Sequence, residues 1–226
     1  MKLNTLTTKQ KERLFRELRL SVTHHSNAME GTTLSFGETK LLLEYGITAK
    51  EKPMHEQLVI LGFAKAFDVV IRESANPTRG LDTAFIKDLH EIMFEDALQV
   101  MPSFVPKPIG AYRADERHIQ GSLVTLTPPN KISQTLENLL YRYKNSSMNI
   151  EDISQFHIAF ETIHPFADGN GRIGRLLMTF QAIQNDFIPP LILSEEKREY
   201  LDGFDESAKM VVFLRNAMKH SLQFIE

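Results

Sequence analysis

The segment from His164 to Arg175 carries residue types that suit chemistry on a phosphate ester. Its histidine is followed by an aspartate, two glycines and two arginines, and the helical pattern of the chain resumes at about Arg172. Glycines let backbone N–H groups approach an anion closely, and the first turn of a helix adds unpaired N–H groups and partial positive charge. The segment therefore predicts a phosphate-binding turn that leads into a helix.

Each charged or titratable side chain in this segment has a property that nucleotide chemistry requires. His164 has an unperturbed pKa that suits a general base near neutral pH. Asp168 is placed to bind Mg²⁺ that accompanies phosphates. Arg172 and Arg175 are three residues apart, so they project from one helix face, and each can hold phosphate oxygens through two hydrogen bonds. Any one of these residues alone is more often a turn or surface residue, whereas the whole set at this spacing indicates nucleotide chemistry.

The same segment resembles the signature of the Fic family, His-x-Phe-x-Asp/Glu-Gly-Asn-Gly-Arg-x-x-Arg, and every specified position matches. The resemblance extends over roughly residues 50 to 210. It implies an all-α Fic fold and an adenylyltransferase that moves AMP from ATP to a Ser, Thr or Tyr hydroxyl of a target protein. In such an enzyme His164 acts as the base toward the hydroxyl, whose oxygen attacks the α-phosphorus while pyrophosphate leaves.

The resemblance also assigns the parts of the nucleotide to residues of the turn. Asp168 would hold Mg²⁺, or Mn²⁺ in its place. Arg172 would neutralise the β-phosphate and Arg175 would hold the γ-phosphate, which is the kind of charge stabilisation that phosphoryl transfer needs. The α- and β-phosphates would lie on the loop formed by Gly169, Asn170 and Gly171.

Tyr200 falls where the family often has an aromatic pair near the adenine, so the resemblance implies that it binds the nucleotide. The second position of the pair is Leu201 in this chain. Ala208 stands near the place of an asparagine that some members carry. Packing of Tyr200 in the core is the alternative to an adenine contact.

A second motif lies upstream, where Ser26 and Glu30 are four residues apart in a segment of helical pattern. At that spacing the two side chains share a helix face. The motif resembles the inhibitory sequence of the family, Ser/Thr-x-x-x-Glu-Gly/Asn, with Gly31 in its last place. The resemblance implies that Glu30 pairs with Arg175 and so occupies the arginine meant for the γ-phosphate. ATP would still bind, but its α-phosphorus would be turned away from the attacking hydroxyl.

Residues 99–129 depart from the helical pattern because they are rich in proline and glycine. From 116 to 126 the pattern predicts two short strands that turn at Gly121. This hairpin resembles the flap of the family, whose edge strand would accept an extended segment of the target protein. The docking residues would be Ile119, Gln120, Gly121, Ser122 and Leu123. Nearby, Tyr112 and Arg113 also resemble the family and are expected to shape the loop.

Helical periodicity predicts the elements that must position these residues. An N-terminal helix over 8–29 presents Leu14, Leu18 and Val22 near one face. Further helices are predicted over 35–46, 55–75, from 82 or 83 onward, and over 133–144, 152–163, 172–184, 195–208 and 210–224. The architecture is therefore predicted to be all-α with one small β-hairpin. An N-terminal helical segment (1–49) carries the inhibitory motif, and a catalytic core with C-terminal helices follows (50–226).

The composition limits the classes of protein to which the chain could belong. Its 226 residues contain no cysteine, which excludes a disulfide scaffold, a thiolate zinc site and a cysteine nucleophile. A formal net charge of −3 and the lack of a long apolar run argue against nucleic acid and membrane as partners. The N-terminus lacks the apolar run of a signal peptide, so a cytoplasmic protein is expected. A homodimer is the common default assembly.

Three alternatives stay open at this point. A Fic scaffold can also transfer phosphate or phosphocholine, although the phosphate-transferring relatives depart from the Gly-Asn-Gly-Arg-x-x-Arg pattern that this chain keeps. Some relatives with an inhibitory glutamate remove AMP, a reaction for which Glu30 would position water. A non-enzymatic module that binds extended peptides at its hairpin is the third alternative. An adenylyltransferase of this kind is also expected to modify itself, while its target protein is unidentified.

Overall fold

α-Helices make up most of the regular structure of this protein. The computed structural model describes residues 2–76, 78–118, 124–144 and 146–225. The helices within these ranges are α1 (Thr8–Ala28), α2 (Phe36–Tyr45), α3 (Met54–Ser74), α4 (Thr83–Val100), α5 (Ile132–Arg142), α6 (Ile150–Ile163), α7 (Asn170–Gln184), α8 (Lys197–Asp202) and α9 (Ser207–Leu222). The short 3₁₀ helices are Leu3–Thr5, Pro129–Lys131 and Ser194–Glu196. The predicted all-α class is confirmed, since β pairing in the described ranges is limited to a bridge between Lys2 and Phe187.

Capping residues explain where the N-terminal helices begin and end. Thr7 precedes α1, and its N–H donates to the Gln10 side chain at 3.0 Å in a capping box. The predicted capping box of Ser35 and Glu38 opens α2, with the Ser35 N–H donating to the Glu38 carboxylate at 2.8 Å. Gly46 ends α2 in the left-handed conformation with φ 66°. Glycine adopts this conformation without steric cost, so the predicted bounds of α2 are confirmed.

The predicted helix over 195–208 is wrong in length. The chain instead forms the 3₁₀ helix Ser194–Glu196 and the short α8, and a turn at Gly203 separates α8 from α9. The backbone of Met210 lies close to that glycine, because an ideal Cβ at Gly203 would lie 3.2 Å from the Met210 Cα. The close packing of α9 on the end of α8 therefore stops the continuous helix that local periodicity favours.

The structure does not support the predicted hairpin. Residues 116–118 and 124–126, which would form the outer parts of its strands, contain no strand. The predicted docking residues, 119–123, lie outside the described residues. The flanking part differs for a local physical reason. Arg113 donates to the backbone carbonyl oxygens of Asp115 and Thr127, so these groups bind an arginine instead of a neighbouring strand.

α7 lies at the centre of the fold and positions the site. It contacts α1, α3, α4 and α6. Its apolar residues Ile173, Leu176, Leu177 and Phe180 are each at most 1% exposed. Full burial of one such side chain contributes roughly 1.5–3 kcal/mol. A helix that is packed on so many sides holds its N-terminus, and the turn before it, in a fixed place.

α1 packs into the same core as the central helices. The predicted inward residues Leu14, Leu18 and Val22 are buried there. This packing sets the C-terminal end of α1 beside α7, which brings Ser26 and Glu30 to the turn after α6. The division of the chain at residue 49 stays a prediction. In the described part of the chain, no helix combines the length and the apolar character that crossing a membrane requires.

Candidate active site

The turn after α6 places a histidine and a glycine in left-handed backbone conformations. His164 ends α6 with φ 48° and ψ 60°, and its N–H donates to the Phe160 carbonyl oxygen at 3.0 Å. Gly169 precedes α7 with φ 77°. A side chain there would also collide, since an ideal Cβ at Gly169 would lie 2.7 Å from the Met93 Cε. A left-handed residue with a side chain costs about 1–3 kcal/mol, which the contacts around His164 must offset.

Asn170 clamps this turn with its side chain. Its Oδ1 accepts a hydrogen bond from the Phe166 N–H at 2.9 Å, and its Nδ2 donates to the Phe166 carbonyl oxygen at 2.9 Å. Asn170 is 2% exposed, so both bonds are shielded from solvent. The backbone N–H groups at the start of α7 have no acceptor within the helix. The turn therefore presents backbone donors and a positive dipole where the sequence predicts phosphates.

Arg113 ties the end of α6 to two other segments. Its buried guanidinium donates to the carbonyl oxygens of His164 at 2.7 Å, Asp115 at 2.7 Å and Thr127 at 2.5 Å. Its backbone N–H donates to the Pro165 carbonyl oxygen at 2.9 Å. A cation beside the C-terminal carbonyls of a helix is also favoured by the helix dipole. The prediction that Arg113 shapes the loop is confirmed, and its contacts fix the backbone of His164.

His90 of α4 contacts the turn from the other side, although it is outside the sequence motif. Its Nε2 lies 3.1 Å from the Asp168 carbonyl oxygen, and its Nδ1 accepts from the Gly110 N–H at 3.0 Å. The ring stacks on Phe166 with centroids 4.0 Å apart. These bonds require the neutral ring with its proton on Nε2, and burial lowers the pKa of His90 to about 4. The sequence indicates the burial of His90 only through its position directly after Leu89, which the helical pattern places on the inward face.

The His164 imidazole is held in the form that a general base needs. Its Nδ1 lies 3.3 Å from the Glu161 carbonyl oxygen, to which a ring nitrogen can only donate. The proton is therefore on Nδ1, and Nε2 carries the free lone pair. Burial lowers the pKa of His164 by more than the hydrogen bond to Glu161 raises it. The ring is neutral at pH 7 and can accept a proton.

Arg172 and Asp168 form an ion pair across the turn. The Arg172 Nη2 lies 2.9 Å from the Asp168 Oδ2. The Arg172 side chain is 6% exposed, whereas the Asp168 side chain is 42% exposed. The guanidinium carbon also lies 5.1 Å from the Phe94 ring centroid, a favourable cation–π distance. Within the described residues the buried Arg172 Nε has no acceptor, so this cation retains hydrogen-bonding capacity at the turn.

Arg175 binds the C-terminal end of α1. Its Nε donates to the Ser26 Oγ at 2.8 Å, and its Nη2 donates to the Ser26 carbonyl oxygen at 3.0 Å and to the Glu30 Oε1 at 2.6 Å. The Arg175 side chain is 6% exposed. Charge-assisted bonds of this kind are roughly twice as strong as neutral ones. The pairing of Glu30 with Arg175 that the family resemblance implies is therefore present in the structure.

The charges of Glu30 and Arg175 stabilise each other. Burial raises the pKa of Glu30, but the Arg175 and Arg172 charges together lower it below its usual range. Burial also lowers the pKa of Arg175, but the charge and hydrogen bond of Glu30, together with Tyr200 and Glu161, raise it above its usual value. An ideal Cβ at Gly171 would lie 2.7 Å from the Glu30 Oε1, so the carboxylate rests directly on the first turn of α7. An anionic group thus already occupies part of the predicted phosphate site.

Two contacts outside the predicted motifs hold the end of α1 in place. The Lys197 Nζ donates to the Met29 carbonyl oxygen at 2.5 Å. The Ser194 N–H donates to the His25 Nδ1 at 3.2 Å. A lysine at the last carbonyls of a helix satisfies them and suits the helix dipole. No local pattern predicts these bonds, because the partners are 168 and 169 residues apart.

Tyr200 of α8 lies behind Arg175. It is 3% exposed, and its hydroxyl lies 2.7 Å from the His157 Nε2. Its ring centroid lies 5.9 Å from the Arg175 Cζ, and the ring packs edge-on against Phe204 at 5.1 Å. Tyr200 therefore packs in the core and lines the arginine that is predicted to hold the γ-phosphate. Its contact with adenine stays a prediction.

The chain is similar in sequence to protein adenylyltransferases. The model of the Fic/DOC family matches residues 80–182, which include the whole turn and its arginines. Protein adenylyltransferase fic-1 of Caenorhabditis briggsae is 27% identical over 219 residues, which cover 92% of this chain and 41% of that protein. Protein adenylyltransferase Fic of Culex quinquefasciatus is 27% identical over 185 residues, which cover 79% of this chain and 35% of that protein. The chain thus spans less than half the length of these curated relatives.

Solved structures share the helical arrangement. A Fic domain containing signaling protein from Bacteroides thetaiotaomicron VPI-5482 aligns with a TM-score of 0.83 at 22% identity, over 99% of this chain and 90% of that chain. Fic-1 (residues 134–508) from C. elegans aligns with a TM-score of 0.80 at 24% identity, over 99% of this chain and 66% of that chain. The family match and the complete motif agree with the shared fold: this chain has the helical fold of the Fic proteins, and its residues 80–182 match the model of the Fic/DOC family.

Proposed function

We propose that this chain is a protein adenylyltransferase that moves AMP from ATP to a Ser, Thr or Tyr hydroxyl of a target protein. The names of its sequence relatives support the activity. The observation that carries the proposal is the turn itself, which sets the neutral imidazole of His164 beside the N-terminus of α7. A general base and an anion-binding helix end that are joined by one short turn suit attack of a hydroxyl on a phosphate.

The residues of the turn have separate tasks in this reaction. The Nε2 of His164 takes the proton of the target hydroxyl as its oxygen bonds to the α-phosphorus. The bond from that phosphorus to the bridging oxygen breaks, and pyrophosphate leaves. Backbone N–H groups from Gly169 to Gly171 and the guanidinium of Arg172 stabilise the charge that develops on the leaving group. Arg175 holds the γ-phosphate once Glu30 has left it.

Asp168 fits a divalent cation that accompanies ATP. Its side chain is 42% exposed and ends in the hard oxygen donors that Mg²⁺ prefers. The described ranges contain no group of three or more His, Cys, Asp or Glu side chains that could hold a metal by themselves. The Asp168 carboxylate therefore suits Mg²⁺, or Mn²⁺, that arrives bound to the nucleotide and is coordinated by one carboxylate of the protein. When bound, the cation neutralises phosphate charge.

We further propose that Glu30 inhibits the transfer. Its carboxylate is 2.6 Å from Arg175 and rests on Gly171, at the place assigned to the γ-phosphate. Two anions cannot use the same donors, so the triphosphate binds with its α-phosphorus out of line with the hydroxyl. A shift of about 1 Å at the reacting atoms costs on the order of a hundredfold in rate.

The proposal is tested by incubating the purified chain with radiolabelled ATP and Mg²⁺ and measuring the label that the protein itself acquires. Glu30→Gly is expected to raise incorporation by at least about tenfold, because it frees Arg175. Adding His164→Ala to that variant is expected to abolish incorporation. Glu51→Gly is the matched control, since Glu51 is 84% exposed on its side chain and its φ of 60° suits glycine.

The outcomes separate the two parts of the proposal. Equal labelling of wild type and Glu30→Gly would refute the inhibitory role. If Glu30→Gly neither binds Mg-ATP nor acquires AMP, the adenylyltransferase proposal fails. The intact mass of the product distinguishes AMP from phosphate and phosphocholine, and a peptide-binding module would give no adduct. Incubating the modified protein with wild-type enzyme tests removal of AMP. The target, a homodimer and cytoplasmic location stay predictions.

A further inference from the structure

Two carboxylates rest on one bare face of α7. Gly171 and Gly174 are one turn apart on this helix and expose its backbone there. Glu30 lies on the first glycine, as described above. Glu161 of α6 lies on the second, where an ideal Cβ at Gly174 would overlap the Glu161 Oε1. The Nη1 of Arg175 also lies at the first glycine, 3.0 Å from an ideal Cβ at Gly171, and the sequence motif assigns nothing to Glu161.

Glu161 is enclosed by groups that also surround Arg175. Its Oε1 is shielded from solvent and has no hydrogen-bond partner within the described residues. His157, one turn earlier on α6, also faces Gly174, where an ideal Cβ would lie 2.9 Å from the His157 Cε1. The Nε2 of His157 lies 2.7 Å from the Tyr200 hydroxyl, and Tyr200 lines Arg175. Glu161 thus belongs to the wall behind the arginine.

The charges at this place explain the state of Glu161. Arg175 carries one positive charge, and the ionised Glu30, 2.6 Å away, balances it. Burial raises the pKa of Glu161 to about 8, the Arg175 charge lowers it and the Glu30 charge raises it. The other titratable groups of the wall, His157 and Tyr200, stay neutral because burial lowers the pKa of the first and raises that of the second. Glu161 is therefore mostly protonated at pH 7 while Glu30 is in place.

We propose that Glu161 is a positioning residue that acts as the reserve counter-ion of Arg175. It keeps its proton while Glu30 or a phosphate balances the arginine, and it releases the proton to solvent when neither is present. The ionised carboxylate then holds the guanidinium at the α7 face until an anion returns. The identity of that anion as ATP rests on the proposed function.

The first test does not involve a nucleotide. The Glu161 carboxyl is observed by carbon-13 NMR in wild type and in Glu30→Gln, with Glu161→Gln to assign its signal. A nearby negative charge disfavours ionisation of a carboxyl group. Removal of the Glu30 charge, which leaves Arg175 unpaired, is therefore expected to lower the pKa of Glu161 by at least about one pH unit. An unchanged pKa would overturn the proposal. If Glu30→Gln does not fold, Arg175→Gln tests the same coupling, because loss of the attracting cation is expected to raise the pKa of Glu161.

The second test measures protons that accompany binding. A non-hydrolysable ATP analogue with Mg²⁺ is titrated calorimetrically into Glu30→Gly at pH 8, in two buffers of different ionisation enthalpy. The bound phosphate balances Arg175 in place of the ionised Glu161 carboxylate, which then takes up a proton. Proton uptake is therefore expected for Glu30→Gly but not for Glu30→Gly/Glu161→Gln. Equal proton uptake by the two variants would overturn the proposal, whereas a merely structural Glu161 predicts that equality. Absence of binding would count against the proposed function, and the titration of Glu161 would still decide this inference.

Discussion

Replacing His90 by leucine removes the contact between α4 and the turn of the active site. Leucine keeps apolar contact with the ring of Phe166 but cannot replace either hydrogen bond. The Gly110 N–H and the Asp168 carbonyl oxygen, now bonded at 3.0 and 3.1 Å, lose their partners. An unsatisfied buried group costs about 1–3 kcal/mol. Gly110 is only half-buried, so water recovers part of its loss, and we expect a total of about 2 kcal/mol in the free energy of unfolding at pH 7.

The same substitution should change how stability depends on pH. His90 is 1% exposed, and burial lowers its pKa to about 4 from the ordinary 6.5. The unfolded chain therefore binds a proton between these values when the folded chain does not, so stability falls as the pH drops from 6.5 toward 4. The total loss from this group is about 3 kcal/mol, of which about 2 kcal/mol is gone at pH 5. Leucine has no such loss, and the two proteins should be about equally stable at pH 5.

Urea unfolding at pH 7 and pH 5 measures both effects. His118→Leu is the control, because His118 is an exposed histidine. It should change stability little at either pH. If His90→Leu destabilises the protein by the same amount at both values, the neutral, doubly bonded ring is not what His90 contributes, and the reasoning is refuted.

Three further predictions concern the turn, the end of α1 and the central helix α7. Asn170→Ala should lower the free energy of unfolding by about 2 kcal/mol in urea titrations, because both backbone groups of Phe166 lose their partner. Lys197→Met should raise self-modification about fivefold in the labelling assay, since the loss of about 1 kcal/mol loosens the end of α1; unchanged labelling would show that this lysine does not hold Glu30. Gly174→Ala should cost about 1–3 kcal/mol through the clash with Glu161, and adding Glu161→Ala should restore part of it; additive effects in the double-mutant cycle would contradict the observed contact.

Local patterns were sufficient for the parts of the site that are contiguous in the chain. The turn from His164 to Arg175 was predictable because one short segment supplies the base, the carboxylate and the anion-binding helix end. The bounds of α2 were predictable because a capping box and a left-handed glycine act over a few residues. The contact of Glu30 with Arg175 followed from a second motif together with the family resemblance.

The rest of the site depends on residues that are distant in sequence. His90 contacts Asp168 across 78 residues, and Arg113 contacts His164 across 51 residues. Neither pairing leaves a periodic signal, because each is set by how whole helices pack. The break between α8 and α9 has the same origin, since the backbone of α9 packs closely against Gly203. Tertiary packing here overrides a local preference for helix.

The two residues that bind Arg175 lie on opposite sides of the end of α1 at Ala28, so one is part of the helix and the other is part of a turn. Ser26 belongs to the rigid helix and receives two of the bonds from the guanidinium. Glu30 lies beyond the helix, in a turn that continues through Gly31 with φ 91°. For the inhibition proposed above, activation needs no undocking of α1. Rearranging a few residues of that turn would move the carboxylate away, while the serine would go on orienting the arginine for an incoming phosphate.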